Sequence, residues 1–199
     1  DFIGSIKWSP SGDKLAVGGY YVGVDIYDCF VRVYNSDGSL DKSFGVGGEI
    51  KFAVGTEYDY LQSINWSPSG DKLAVGGYYY NGSDYDCFVK IWNYDSETGL
   101  YSDDTNIGTG GENKFSVGLG HDFIESIKWS PSGDKLTVGG YYLGAIFYDS
   151  FVRPTFIYFI VFLLLFMKTF SFTFILYRII SFFKFRLFII SEFFRNFNF

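Results

Sequence analysis

The string WSPSGDKLAVGGYY occurs at Trp8–Tyr21 and again at Trp66–Tyr79, and WSPSGDKLTVGGYY follows at Trp129–Tyr142. A unit repeated this closely cannot bury its apolar face alone, so copies must stack on one another. The tryptophans are 58 and then 63 residues apart, and the five-residue difference can be localised. Trp8–Asn35 and Trp66–Asn93 both span 27 residues, while Gly48–Trp66 and Gly111–Trp129 both span 18. Only the segment between differs, 13 residues from Asn35 to Gly48 against 18 from Asn93 to Gly111. An insertion confined in this way predicts a loop, because a strand that absorbs extra residues changes face.

Four short β-type runs fill one unit. SIKW sets Ile6 and Trp8 against Ser5 and Lys7, and KLAVGGYY follows. CFVRVYN sets Val31 and Val33 against Phe30, Arg32 and Tyr34, and EIKFAV alternates Ile50 and Phe52 with Lys51 and Ala53. Pro10 and Gly12, Pro68 and Gly70, and Pro131 and Gly133 supply turn chemistry between the first two runs. Gly18-Gly19 predicts a bulge or a close backbone approach. No sustained helical period occurs in residues 1–154. Four antiparallel strands per unit, repeated, predict an all-β partial β-propeller. It would comprise two full blades and part of a third, in units of about 1–54, 55–117 and 118–154.

These residues resemble two repeat families. SIKWSPSGDKLAVGG followed by Asp28-x-x-Val31-Arg32-Val33-Tyr34-Asn35 is similar to a WD repeat, with Trp92-Asn93 in place of that family's Trp-Asp and Gly120-His121 in place of its Gly-His. The string DGSLDKSFG at Asp37–Gly45 and the longer period resemble the bacterial delta-60 repeats, the nearer match of the two. Both resemblances imply a propeller, and neither implies a specific activity. In WD repeats the residue matching Asp28 braces a His and a Trp. With His121 the only histidine, Asp28, Asp86 and Asp149 are expected to be turn residues instead.

Catalytic chemistry has little to work with. His121 sits in a Gly-x-Gly-His loop and is expected to be structural, so the chain is not expected to be an enzyme and a small-molecule substrate is not expected. Metal sites of the His/Cys kind lack ligands. The acidic clusters Asp84-Tyr85-Asp86, Asp95-x-Glu97 and Asp103-Asp104 are the weak candidates for Ca²⁺, but their spacing departs from a Ca²⁺ loop and no cofactor is expected. Cys29 and Cys87 occupy equivalent positions of successive units, too far apart for a disulfide, and are expected to be small buried side chains. The tyrosines Tyr20, Tyr21, Tyr78, Tyr79, Tyr80, Tyr141 and Tyr142 are the candidate partner-binding residues, with packing between units as the competing reading.

Composition divides the chain. Residues 1–154 hold all 24 glycines and 21 acidic against 11 basic residues, a net charge of −10. That balance argues against a nucleic-acid partner. Residues 155–199 carry five basic residues and one acid, and 15 of the 45 are Phe. Copy three follows the repeat through YDSFVR and leaves it at Pro154, which is expected to interrupt the third strand by removing a ladder donor. The Phe-rich tail reads as thymine-rich DNA in an arbitrary frame, by frameshift or read-through. The alternative is an apolar helix over 156–176 that tethers a surface protein to a membrane, against about 2.5–3.5 kcal/mol for Lys168 near its centre. With Met167 the only methionine, the chain is expected to be a fragment of a longer repeat protein, so the compartment stays open. The expected function is a non-enzymatic interaction scaffold, completed by further blades and binding protein; the alternative is a tethered propeller with an extracellular protein or carbohydrate ligand.

Overall fold

The computed structural model describes residues 1–23, 26–143 and 148–156. The described residues are all-β, in three antiparallel sheets, and Asp1–Ile157 form one compact unit. The first sheet runs in the order β1 (Phe2–Trp8), β2 (Lys14–Val22), β3 (Tyr27–Asn35) and β4 (Glu49–Phe52). The second runs β5 (Asp59–Trp66), β6 (Lys72–Tyr80) and β7 (Tyr85–Asp95), and one edge of β7 then pairs with both β8 (Leu100–Asp103) and β9 (Glu112–Phe115). The third holds β10 (Asp122–Trp129), β11 (Lys135–Leu143) and β12 (Tyr148–Phe156). The expected helical tail lies outside the described residues, as does all of the 156–176 span beyond Phe156. Among the described residues no helix is long and apolar enough to cross a membrane.

Period-two alternation assigns each face. On the second sheet, Leu73, Val75, Phe88 and Trp92 pack into a core with the first sheet. The intervening Ala74, Cys87, Val89 and Ile91 pack into another with the third. Both faces of the middle sheet are therefore apolar, as a strand buried on two sides requires. Burying one Leu or Ile in such a layer contributes about 1.5–3 kcal/mol, and Leu61, Ile64, Ile124 and Ile127 are all fully buried there.

The glycine pair allows the sheets to close up. A register shift between Ile3 and Ser5 makes a bulge opposite Gly18 and Gly19, and it recurs between Leu61 and Ser63 and between Ile124 and Ser126. A Cβ on Gly18 would come within 2.9 Å of the Leu61 side chain, and one on Gly76 within 2.8 Å of Ile127. The neighbouring Gly19, Gly77 and Gly140 pass so close to the bulged strand that a Cβ would overlap a carbonyl oxygen, at 1.8–1.9 Å. Both senses of the sequence expectation, bulge and close approach, are met at one place.

Two expectations are corrected. The five-residue insertion is not simply loop: it extends β7 to Asp95 and pairs Trp92–Asp95 with β8. In the first sheet the same region makes a single bridge, Tyr34 to Leu40. The insertion is absorbed as a hairpin growing away from the core, which leaves the register of β7 with β6 intact. Nor does Pro154 end the third strand, since β12 continues to Phe156 with Pro154 opposite Thr137. Pro154 holds the register position of Val33, whose N–H points away from β2 and donates to Gly48 O at 3.1 Å. The donor that proline lacks is thus on the edge away from β11, and the β11–β12 ladder is spared.

Gly77→Ala is expected to destabilise the protein by about 1–3 kcal/mol or more, because backbone rather than a flexible side chain must yield. Urea unfolding followed by tryptophan fluorescence checks this, and an unchanged midpoint contradicts it.

Candidate interaction surface

The strands present two ends, one made of turns and one of tyrosines. At the turn end, Ser9 N–H donates to Lys14 O at 2.8 Å and Gly12 N–H donates to Ser9 O at 3.0 Å. Gly12, Gly70 and Gly133 have φ of 76°, 79° and 75°, the left-handed region that the turn demands and glycine supplies. Within each turn the first serine hydroxyl donates to the aspartate, Ser9 to Asp13 at 2.8 Å, Ser67 to Asp71 at 2.7 Å and Ser130 to Asp134 at 2.8 Å. The second serine of each turn donates to the same carboxylate. The Ser11 and Ser9 hydroxyls hold the Asp13 carboxyl below the usual range. At Asp71 burial raises the pKa, and the bonds from Ser69 and Ser67 more than offset it.

Between the first two turns lies a cleft of about 470 Å³. Asp13 and Asp71 stand on its rim, Trp66 lies at its inner side, and Tyr94 and Tyr101 come from the β7–β8 hairpin. It presents carboxylates beside aromatic surface. None of these aromatic residues was among the sequence candidates, because the hairpin that carries two of them is the inserted segment.

The seven candidate tyrosines are all half-buried, and contacts between sheets account for several of them. Tyr20 stacks on Phe2 at 4.9 Å and meets Tyr60 of the next sheet edge-on at 4.9 Å. Tyr78 repeats the arrangement with Tyr60 at 5.0 Å and Phe123 at 4.8 Å, and Tyr141 pairs with Phe123 at 4.9 Å. Tyr80 packs on Tyr85. Tyr21 and Tyr79 lie on the opposite faces of their strands, under the Lys51 and Lys114 ammonium groups, and Tyr142 lies against Gly118. Tyr20, Tyr78, Tyr80 and Tyr141 thus stand in a ladder of packed rings, each still partly exposed.

The polar candidates are also engaged. Asp28 accepts from Tyr21 OH at 3.2 Å, and Asp86 accepts from Asn81 Nδ2 at 2.7 Å; the Asp149 side chain is outside what is described. His121 Nδ1 accepts from Tyr85 N–H at 3.1 Å, which ties the loop before β10 to β7. Among the acidic pairs weighed for Ca²⁺, Asp104 is fully buried and bonded to Lys72 Nζ at 2.8 Å, while Asp103 faces Lys90. Asp95 caps the Glu97 N–H. Among the described residues no group of three or more His, Cys, Asp or Glu is placed to hold a metal. Cys29 and Cys87 are free and buried, and burial pushes both thiols up.

Two repeated polar devices went unread in the sequence. Lys14 Nζ donates to Asn35 Oδ1 at 2.8 Å and pairs with the buried Asp41 at 2.8 Å; Lys72 does the same with Asn93 and Asp104. Asp59 accepts from the Val54 and Gly55 N–H groups, and Asp122 from those of Val117 and Gly118. The signal was available: Asp1, Asp59 and Asp122 each precede the repeat tryptophan by seven residues.

Residues 54–93 match the family model described as WD domain, G-beta repeat. The match takes in β5, β6 and most of β7, and gives the second sheet WD-repeat-like features. No curated protein matches the chain. Among solved structures, the chain is similar to Pyrococcus horikoshii acylaminoacyl peptidase (orthorhombic crystal form) at 14% identity and a TM-score of 0.37, over 71% of this chain and 17% of that one. A likeness at that level, spanning so little of the other protein, assigns neither fold nor activity.

Asp59 has no exposed surface, and burial raises its pKa from 3.8 to about 6 against the opposing bonds from Val54 and Gly55. An acid with a raised folded pKa contributes stability that is present below its unfolded value and lost as pH climbs through the folded one. Stability relative to Asp59→Asn, which keeps an acceptor oxygen, is therefore expected to fall between pH 4 and 7. Urea titrations of both proteins across that window test this, and parallel profiles contradict it.

Proposed function

We propose that this chain is a non-enzymatic β-propeller-type interaction scaffold that binds protein. Its blades are the repeat units at about 1–54, 55–117 and 118–154. The observation that carries the reading is the WD-repeat match over residues 54–93, on a sheet whose two faces are both occupied by neighbouring sheets of the same design. WD repeats generally mediate protein–protein contacts, and both faces of the middle sheet are taken up by stacking, which leaves its strand ends for a partner. The side chains that could do chemistry support the same reading. His121, the two thiols and the buried aspartates are each committed to backbone bonds, ion pairs or packing. Within this reading the Asp37–Gly45 string keeps the delta-60 type as close kin of the repeat. Its Asp41 pairs with Lys14, and its Phe44 packs on Trp92 and Tyr101 of the next sheet.

The cleft between the first two turns is the part of this surface where a partner's side chain would seat. Its carboxylates Asp13 and Asp71 and the rings of Tyr94 and Tyr101 suit a lysine or arginine, which can pair with the former and lie across the latter.

The test is affinity capture with the full chain, followed by calorimetry on each purified candidate and a glycan array run in parallel. Saturable protein binding is expected, weakened at least about tenfold by Tyr94→Ala or Ser96→Arg at the cleft. Glycan binding without protein binding, or turnover of a captured molecule, overturns the scaffold reading.

A further inference from the structure

The turn between β6 and β7 is Asn81-Gly82-Ser83-Asp84, and it holds the only Asn-Gly pair of the chain. Asn81, Gly82 and Ser83 are exposed. Asn81 N–H donates to Asp84 O at 2.9 Å, which closes the turn. The Asn81 side chain is held at both of its polar atoms. Its Oδ1 accepts from the Ser83 and Asp84 N–H groups, each at 2.9 Å, and its Nδ2 donates to Asp86 Oδ2 at 2.7 Å. Gly82 is different. Among the described residues its N–H has no acceptor, and a Cβ at this position would meet nothing within 4 Å. A bond from Gly82 N to Asn81 Cγ closes a five-membered ring, and attack between neighbouring residues has the advantage of an intramolecular reaction. The two N–H donors on Oδ1 polarise Cγ and face the oxygen on which negative charge develops when a nucleophile adds. One turn therefore brings together an activated amide carbon and an unhindered backbone nitrogen.

We infer that Asn81 is a site of self-modification in the folded protein, converted to aspartate or isoaspartate through a ring formed with Gly82 N, and that the conversion releases the turn from His121. Gly82 N gives its proton to a solvent base and bonds to Asn81 Cγ. The Cγ–Nδ2 bond then breaks, and Nδ2 takes its electron pair and a proton from water and leaves as ammonia. Water next opens the succinimide at either carbonyl. Opening at Cγ gives aspartate, and opening at the backbone carbon gives isoaspartate, so one water is consumed and one ammonia released with no redox change. The new carboxylate takes the place of the donor that Asp86 had, beside a like charge. Isoaspartate also lengthens the main chain by one carbon inside the turn that the Asn81–Asp84 bond closes. The next two contacts lead to the third sheet. Tyr85 N–H donates to His121 Nδ1 at 3.1 Å, and Asp84 Oδ1 lies 3.6 Å from the same nitrogen. Asp37-Gly38 in the first sheet offers an internal comparison. There the Gly38 N–H is committed to Asn35 O at 3.0 Å, and the Asp37 carboxylate, hydrogen-bonded by Ser39, is a poor electrophile.

Incubation of the full chain in warm, mildly alkaline buffer, followed by peptide mapping with mass spectrometry, tests this. A gain of one dalton at residue 81 is expected, with isoaspartate detected by enzymatic methylation of its free carboxylate and no isoaspartate at residue 37. Asn81→Gln, which must close a six-membered ring instead, should remain unconverted. The chain unfolded in urea is the reference. Conversion of Asn81 there but not in the folded protein overturns the inference, as does a gain that leaves Asn81 intact. Hydrogen exchange reads the consequence at His121. The Tyr85 N–H should exchange at least about tenfold faster in the converted protein and in Asn81→Asp than in the native chain. Equal protection in all three overturns the release of His121.

Discussion

The step from one sheet to the next is the interaction on which the rest of the structure depends. It combines a strip of large aliphatic side chains with a surface hollowed by glycine and alanine, so that Leu61 and Ile64 sit where Gly18 leaves room. Apolar contact alone would allow the sheets to slide, because it is non-directional. The indole and serine bonds give the step a register. A tryptophan N–H that is mostly buried needs an acceptor, and here the acceptor is a carbonyl of the preceding sheet. Burial and direction therefore come from the same few residues, and repeating those residues repeats the geometry.

The outer part of each unit depends on that step but is fastened separately. Lys14 and Lys72 reach from the second strand to a buried aspartate in the segment after the third strand. A buried carboxylate without its lysine would be costly, so the pair holds the segment wherever the intervening chain is long enough to return. This explains how five extra residues are tolerated: they leave Asp104 where Asp41 stands and spend themselves in the β7–β8 hairpin. The side chain that follows three residues later, Phe44 or Ile107, is buried in both units. The hairpin in turn brings Tyr94 and Tyr101 to the turn-end cleft, so a change in length altered the composition of a surface.

Much of the fold was legible in the residues. The repeat spacing, the alternation in CFVRVYN and the turn pair Pro10 and Gly12 are local signals, and the strands, turns and sheet order follow them. The candidate site was less legible. Tyrosine at a strand end looks the same whether its ring meets solvent or the ring of another sheet, and only stacking showed that Tyr20 and Tyr78 are held by Tyr60 and Phe123. Asp104 beside Asp103 read as a weak Ca²⁺ candidate, since nothing nearby in sequence announces Lys72, 32 residues before it. Pro154 read as a break because the sequence says that a donor is missing, not which way the donor would have pointed.

By itself the sequence determined the units, their strands and the faces those strands present, because side-chain alternation and turn conformation are set within a few residues. The tertiary structure alone decided which faces meet and which remain open. It also decided which polar groups are used up in the stacking and where the inserted residues emerge. Those outcomes depend on groups brought together across 59 to 64 residues of chain, a distance over which no local pattern carries information.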